Sequence, residues 1–159
     1  MKASILSVGT ELLFGQVVNT NAAYLSRHLN LMGFDVLYHF AVGDNPDRLK
    51  KTLLKAINET ELVITTGGLG PTQDDLTKEI VAESLGIPIE RNEEAYEFLM
   101  RKFKDRQMTP NNLKQADMPV GSKVFINEAG TAPGFAVKKN GKHVISFPGP
   151  PIEVYWLFN

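Results

Sequence analysis

The order of two periodicities limits the possible folds of this chain more than any single residue does. Short apolar runs alternate with longer stretches whose apolar residues recur every three or four positions. "ASILSV" (3–8) reads as a buried strand. A helix over 20–32 follows, with Ala22, Leu25, Leu29 and Met32 on one face, Thr20 or Asn21 at its start and Gly33 at its end. "FDVLYHFAV" (34–42) is a second strand. Asn45 then caps a helix that has Pro46 at its first position and Leu49, Leu53 and Ile57 along one face. "ELVITT" (61–66) is a third strand, and a helix over 75–85 runs up to Gly86.

Further along, "IPIE" suits a short edge strand, and Asn92 opens a helix carrying Ala95, Leu99 and Phe103 on one face. Residues 105–121 are polar and turn-rich, with a short helix at 111–116, and "KVFIN" is a strand. "FAVKKNGKHVISF" is a hairpin turning through Asn140-Gly141, a pair that suits a type I′ turn. Strand–helix alternation predicts an α/β fold, a mainly parallel sheet in a three-layer α/β/α arrangement, as one domain over 1–159. At 159 residues such a domain can bury a real core.

Composition excludes several classes. Net charge is −1, so nothing draws the chain in bulk to nucleic acid or an anionic membrane. There is no cysteine, which removes disulfides, thiolate metal sites and cysteine nucleophiles and fits a reducing cytoplasm. No apolar stretch reaches the ~18–20 residues of a membrane span. The first residues are too few for a signal-peptide core with a cleavage site. At the other end "PPIEVYWLFN" stops without a cap or polar tail, which reads as a piece of a longer protein or a surface for homo-oligomer contacts.

Glycine-rich stretches follow the strands: "GTELLFG", "GDN", "GGLGPTQDD" and "PGPP". Folds of this class bind ligands at the carboxyl ends of their strands, so these loops locate the site. In the third loop Gly67, Gly68 and Gly70 permit close approach of a phosphate, and the following helix aims its positive end there. The usual dinucleotide pattern fails because Gln73 takes its third glycine position, and no GxxxxGK[ST] is present. A β-carbon at Gly68 or Gly70 is expected to block the ligand while the fold stays cooperative.

Charge decides what else is needed. No lysine or arginine occurs in 9–26, 64–77, 124–137 or 144–159. Glu11, Asp44, Asp74 and Asp75 stand there instead. Carboxylates facing a phosphate make sense with a hard cation between them, and Mg²⁺ is typically held by one or two carboxylates plus substrate phosphates. Asp75, Asp74 and Glu11 are therefore the metal candidates, and Asp75, Glu11 and Asp44 the catalytic ones. Asp74 also suits a helix N-cap and Asp75 a first-turn position, while Glu11 and Asp44 also suit roles within their own loops. Gly9, Thr10, Asn21 and Thr77 flank the loops as substrate contacts, with Pro148, Gly149 and Pro150 in the last one. His28, His39 and His143 are scattered and read as packing or surface residues, as do Tyr155 and Trp156.

Taken together, "GTELLFGQVVNTNAAYL", "VGDNPDRL", "VITTGGLGPTQDDLT", "NNLKQADMP", "GTAPGF" and "FPGPP" resemble, in order and over nearly the whole chain, the N-terminal domain of the CinA family (competence/damage-inducible protein A), a branch of the molybdopterin-binding fold. The resemblance implies a three-layer α/β domain that hydrolyses the diphosphate of ADP-ribose, or of a related nucleotide, to AMP and ribose 5-phosphate with a divalent metal. It matches Asp75 to the loop acid, Glu11 to the acid of the first segment and Pro148–Pro151 to the closing turn. It also implies a C-terminal deamidase domain in many full-length members. The other reading is a non-catalytic module that binds molybdopterin or a nucleotide.

Overall fold

The computed structural model describes residues 1–104 and 106–159; position 105, the first of the turn-rich stretch, lies outside them. In chain order the elements are β1 (Lys2–Val8), α1 (Thr10–Leu13), α2 (Thr20–Leu31), β2 (Asp35–Val42), α3 (Pro46–Glu59), β3 (Leu62–Thr66) and α4 (Thr77–Leu85). Then come β4 (Ile89–Arg91), α5 (Glu93–Lys102), α6 (Pro110–Leu113), a 3-10 turn (Lys114–Ala116), β5 (Asp117–Pro119), β6 (Lys123–Phe125), β7 (Gly134–Lys139), β8 (Lys142–Phe147) and α7 (Pro151–Phe158).

Helix starts follow local chemistry. Asn45 Oδ1 accepts from Arg48 N at 3.0 Å and Asn92 Oδ1 from Ala95 N at 3.0 Å, each satisfying a donor that the first helical turn leaves free. On α2 the cap is Asn19, whose Oδ1 accepts from Ala22 N at 3.2 Å, rather than Thr20 or Asn21. Asn21 is otherwise engaged: its amide donates to Gly149 O at 2.8 Å. The hairpin turns as expected, with Asn140 and Gly141 both at positive φ (53° and 77°).

The main sheet has six strands in the order β2-β1-β3-β8-β7-β6. β2, β1, β3 and β8 run parallel; β7 and β6 continue antiparallel. The expected edge strand β4 pairs instead with β5 in a separate two-stranded sheet. Alternate residues of the central strands reach opposite layers. Ala3, Ile5, Leu62, Ile64 and Phe147 pack with Leu25 and Leu29 of α2 and Val154 of α7. Leu6, Val8, Val63 and Val144 pack with α3, α4 and α5 through Leu53, Val81 and Leu99. Burial on both faces explains why these strands read as nearly unbroken apolar runs. The C-terminal apolar segment is thus partly satisfied within the chain, although Trp156 remains 48% exposed. Among the described residues no helix is long and apolar enough to cross a membrane.

Candidate functional site

Strand register assembles the site. Val8 pairs with Val42, Ser7 with Thr66, and Thr66 with Phe147, so four parallel strands end level with one another. Gly9 N donates to Val42 O at 2.9 Å and Gly67 N to Phe147 O at 3.0 Å, so the four expected loops leave the sheet side by side. Between them lies a cleft of about 460 Å³. That volume falls within the usual range of small-molecule sites.

The glycines of the third loop answer first to the protein itself. Gly67 (φ 94°) and Gly68 (φ 73°) occupy the left-handed region, where side chains are strained. A β-carbon on Gly67 would overlap the carbonyl oxygen of Val8, and one on Gly68 would overlap Thr77 Oγ1. Thr77 is buried, donates to Gly67 O at 2.9 Å and, through its backbone N–H, to Gly68 O at 3.1 Å. It ties the loop to the start of α4 and does not line the cleft. Among the described residues the N–H groups of Gly68, Leu69 and Gly70 find no acceptor. That is the donor set a phosphate requires.

Helix α4 begins at Thr77, two residues later than the sequence suggests, and its N-cap position is Leu76, with no capping side chain. Asp74 is therefore not a cap, and Asp75 is not in the first turn. Thr77 uses the helix start for the loop contacts just described, which leaves both aspartates in the preceding turn. Asp75 faces the cleft, its Oδ2 accepting from Thr72 N (3.0 Å) and Thr72 Oγ1 (2.7 Å) beneath Gly70. Asp74 is exposed and does not line the cleft.

Glu11 and Asp44 do reach it. The Glu11 carboxylate folds over Gly9, where a β-carbon would overlap Oε1. Asp44 Oδ2 accepts from Thr10 Oγ1 at 3.1 Å, and Thr10 Oγ1 in turn accepts from Asp44 N at 3.1 Å. Thr10 thus positions Asp44 rather than touching the cavity. Asn21 likewise positions the closing turn through Gly149, while Pro148, Gly149 and Pro150 themselves form a wall. Among the described residues no histidine lines the cleft.

Several contributors carry little or no signal in the sequence. Glu153, in the first turn of α7, lines the cleft; Asn127 Nδ2 donates to its Oε1 at 2.6 Å and to Ala132 O at 3.1 Å. Burial raises the Glu153 carboxyl above its ordinary value of 4.5, and the Asn127 hydrogen bond opposes that rise. Its signal in the sequence was only a glutamate three residues past "PGP" (148–150). Gln115 of the 3-10 turn also lines the cleft.

Lys114, distant in sequence, reaches the back of the loop, and Lys78, just past the loop in α4, holds Lys114 in turn. Lys114 Nζ donates to Asp75 O at 2.9 Å, and Lys78 Nζ donates to Lys114 O at 2.5 Å. Lys78 is buried, which lowers its pKa to about 8. Neither enters the cleft, whose lining among the described residues holds four carboxylates (Glu11, Asp44, Asp75, Glu153) and no basic side chain.

Among the described residues no three histidine, aspartate or glutamate side chains come close enough together to hold a metal ion. The hard oxygen donors suit Mg²⁺, which needs only one or two protein carboxylates when substrate phosphates complete its shell. Glu11, Asp44 and Asp75 fit that substrate-bridged arrangement in donor type. Asp74 does not.

A mainly parallel sheet with a glycine-loop cleft at its carboxyl edge defines an α/β ligand-binding domain. Residues 4–159 match the family described as "Probable molybdopterin binding domain". The crystal structure of CinA from Thermoplasma acidophilum superposes with a TM-score of 0.94 at 37% identity, covering 99% of this chain and 94% of that one. This chain belongs to the CinA family, within the molybdopterin-binding-like fold. The competence-damage inducible protein of Thermoanaerobacter sp. strain X514 is 52% identical over 160 residues, 99% of this chain and 39% of the relative. The chain thus spans about two fifths of the length of the curated relatives it matches. MoaB from Thermus thermophilus, at 22% identity and a TM-score of 0.62 over 96% of this chain and 84% of that one, shares the fold.

Proposed function

We propose that this domain is a divalent-cation-assisted nucleotide pyrophosphatase that hydrolyses ADP-ribose, or a related nucleotide diphosphate, to AMP and ribose 5-phosphate. One observation carries the reading: among the described residues, unpartnered loop N–H groups and four carboxylates share one cleft that has no basic side chain. A diphosphate entering such a cleft needs a cation to offset its charge.

When bound, the cation supplies charge neutralisation and polarises phosphoryl oxygens. The chain's own residues do the rest. The N–H groups of Gly68, Leu69 and Gly70 take the charge that develops on the phosphoryl oxygens. A water oxygen bonds to phosphorus as the bridging P–O bond breaks, and the released phosphate leaves with its sugar. Glu153 is the group that takes the water's proton, since burial raises its proton affinity and Asn127 fixes one of its oxygens. Asp44, held by Thr10, orients the water or the ribose.

The test is AMP formation from ADP-ribose with Mg²⁺. AMP should appear and should vanish on chelation. Asp75→Asn should lower the rate roughly a hundredfold or more, as expected when a hard ligand to the charge-stabilising cation is lost. Its melting point should barely move, because asparagine still accepts from Thr72. Full activity in that variant would remove Asp75 from the site. Family membership also favours a second reading, a module that binds molybdopterin or a nucleotide without turnover. Pterin retained on purification, with no AMP formed, would select it.

A further inference from the structure

Gln115 is out of place by the rules that govern buried polar groups. It is 2% exposed, yet neither its Nε2 nor its Oε1 has a hydrogen-bond partner. Buried amides are nearly always paired, because leaving water without a replacement hydrogen bond is costly. The other side chains left unpaired among the described residues (Asn21, Glu79 and Ser84) each lack one partner and do not line this cleft; Gln115 lacks both and does.

The backbone holds it there. Lys78 Nζ donates to Lys114 O, Lys114 Nζ donates to Asp75 O, and Ala116 O accepts from Asn92 N at 2.8 Å. The 3-10 turn is thus fastened on both sides of Gln115, which fixes the backbone that carries the amide beside the cleft.

We infer that Gln115 is a ligand-reading residue of the cleft, whose carboxamide takes a ligand group offering a hydrogen-bond acceptor and donor side by side. A carboxamide presents one donor and one acceptor in a plane, and the N7 and 6-amino edge of adenine is its complement. A ribose cis-diol offers the same chemistry. The inference rests on the nucleotide reading above and adds the part of the nucleotide that is recognised. The free domain carries two unpaired buried atoms, and the ligand satisfies them.

Calorimetric binding of AMP and of ribose 5-phosphate, with Mg²⁺ present, tests this on the 159-residue chain and its Gln115→Met variant. Methionine keeps length and flexibility but has no amide. AMP affinity should fall roughly five- to 150-fold, the equivalent of ~1–3 kcal/mol for a bidentate pair. The melting midpoint should hold or rise, because no amide is then left buried and unpaired. Unchanged ribose 5-phosphate affinity would place the contact on the adenine edge; an equal loss would place it on the diol. Affinities within twofold of the unsubstituted chain for both compounds would overturn the inference. So would a binding loss with a lowered midpoint, since the amide would then be holding the fold. If the unsubstituted chain bound neither compound, the inference would also fall. Binding of these products is read without turnover, so a failure to hydrolyse ADP-ribose would leave the result standing.

Discussion

Gly68 has its backbone in a conformation that disfavours side chains, and Thr77 fills the space where a side chain would go. The expectation that a β-carbon here would block the ligand and spare the fold is therefore revised. Gly68→Val should lose ligand binding and lower the melting midpoint together. The strain is ~1–3 kcal/mol before the overlap with Thr77 is counted. A scanning-calorimetry midpoint equal to that of the unsubstituted chain would show that the loop relaxes at little cost. Glu153 gives a pH signature. Its carboxyl is raised by burial, so between the ordinary 4.5 and the folded value the native state binds more protons than the unfolded one. Stability must then fall as pH rises through that window. As a base, Glu153 must be ionised, so the same group should set the acid limb of the rate profile. Glu153→Gln should flatten the stability slope and reduce kcat by ~10²-fold or more. A retained acid limb with undiminished kcat would assign the base elsewhere.

At the scale of elements, the start of α4 joins the loop to the rest of the site. Its second residue, Lys78, is buried with its ammonium on the carbonyl of Lys114, and desolvation lowers its pKa from 10.5 to about 8. Between those values the native state binds fewer protons than the unfolded chain, so stability should rise with pH from about 8 to 10.5. The difference of 2.5 pH units corresponds to on the order of 3 kcal/mol. Lys78→Met should abolish that rise, as chemical denaturation at the two ends of the range would reveal. The same slope in the variant would mean that another group titrates there. Most element boundaries were legible because their causes are local. Asn45-Pro46 and Asn92 begin helices through contacts three residues away, and Asn140-Gly141 supplies its own turn. Boundaries went wrong where a distant partner intervened. Gly149 claims Asn21, and Thr77 binds the glycine loop instead of following a cap at Asp74.

On the scale of the whole molecule, the sequence by itself determined the layered α/β architecture, the edge of the sheet that carries the cleft, and three of the acids that line it. Periodicity reports which faces are buried, and glycine-rich turns mark strand ends; both are properties of neighbouring residues. Tertiary structure alone decided which polar groups face the cleft. Gln115 and Glu153, with the Asn127 that holds Glu153 from behind the lining, come from separate segments, and only the packing of the 3-10 turn, the β6–β7 connection and α7 around the ends of the parallel strands brings them together. It also turned Asp74 outward and Asp75 inward, though they are adjacent in sequence. It brought Lys114 from a distant segment onto the backbone of the loop at Asp75, with Lys78 of α4 holding the Lys114 carbonyl. Hydrogen bonds and desolvation act through space at a few ångströms, and residues tens of positions apart reach that range only when strand register and helix packing close the distance.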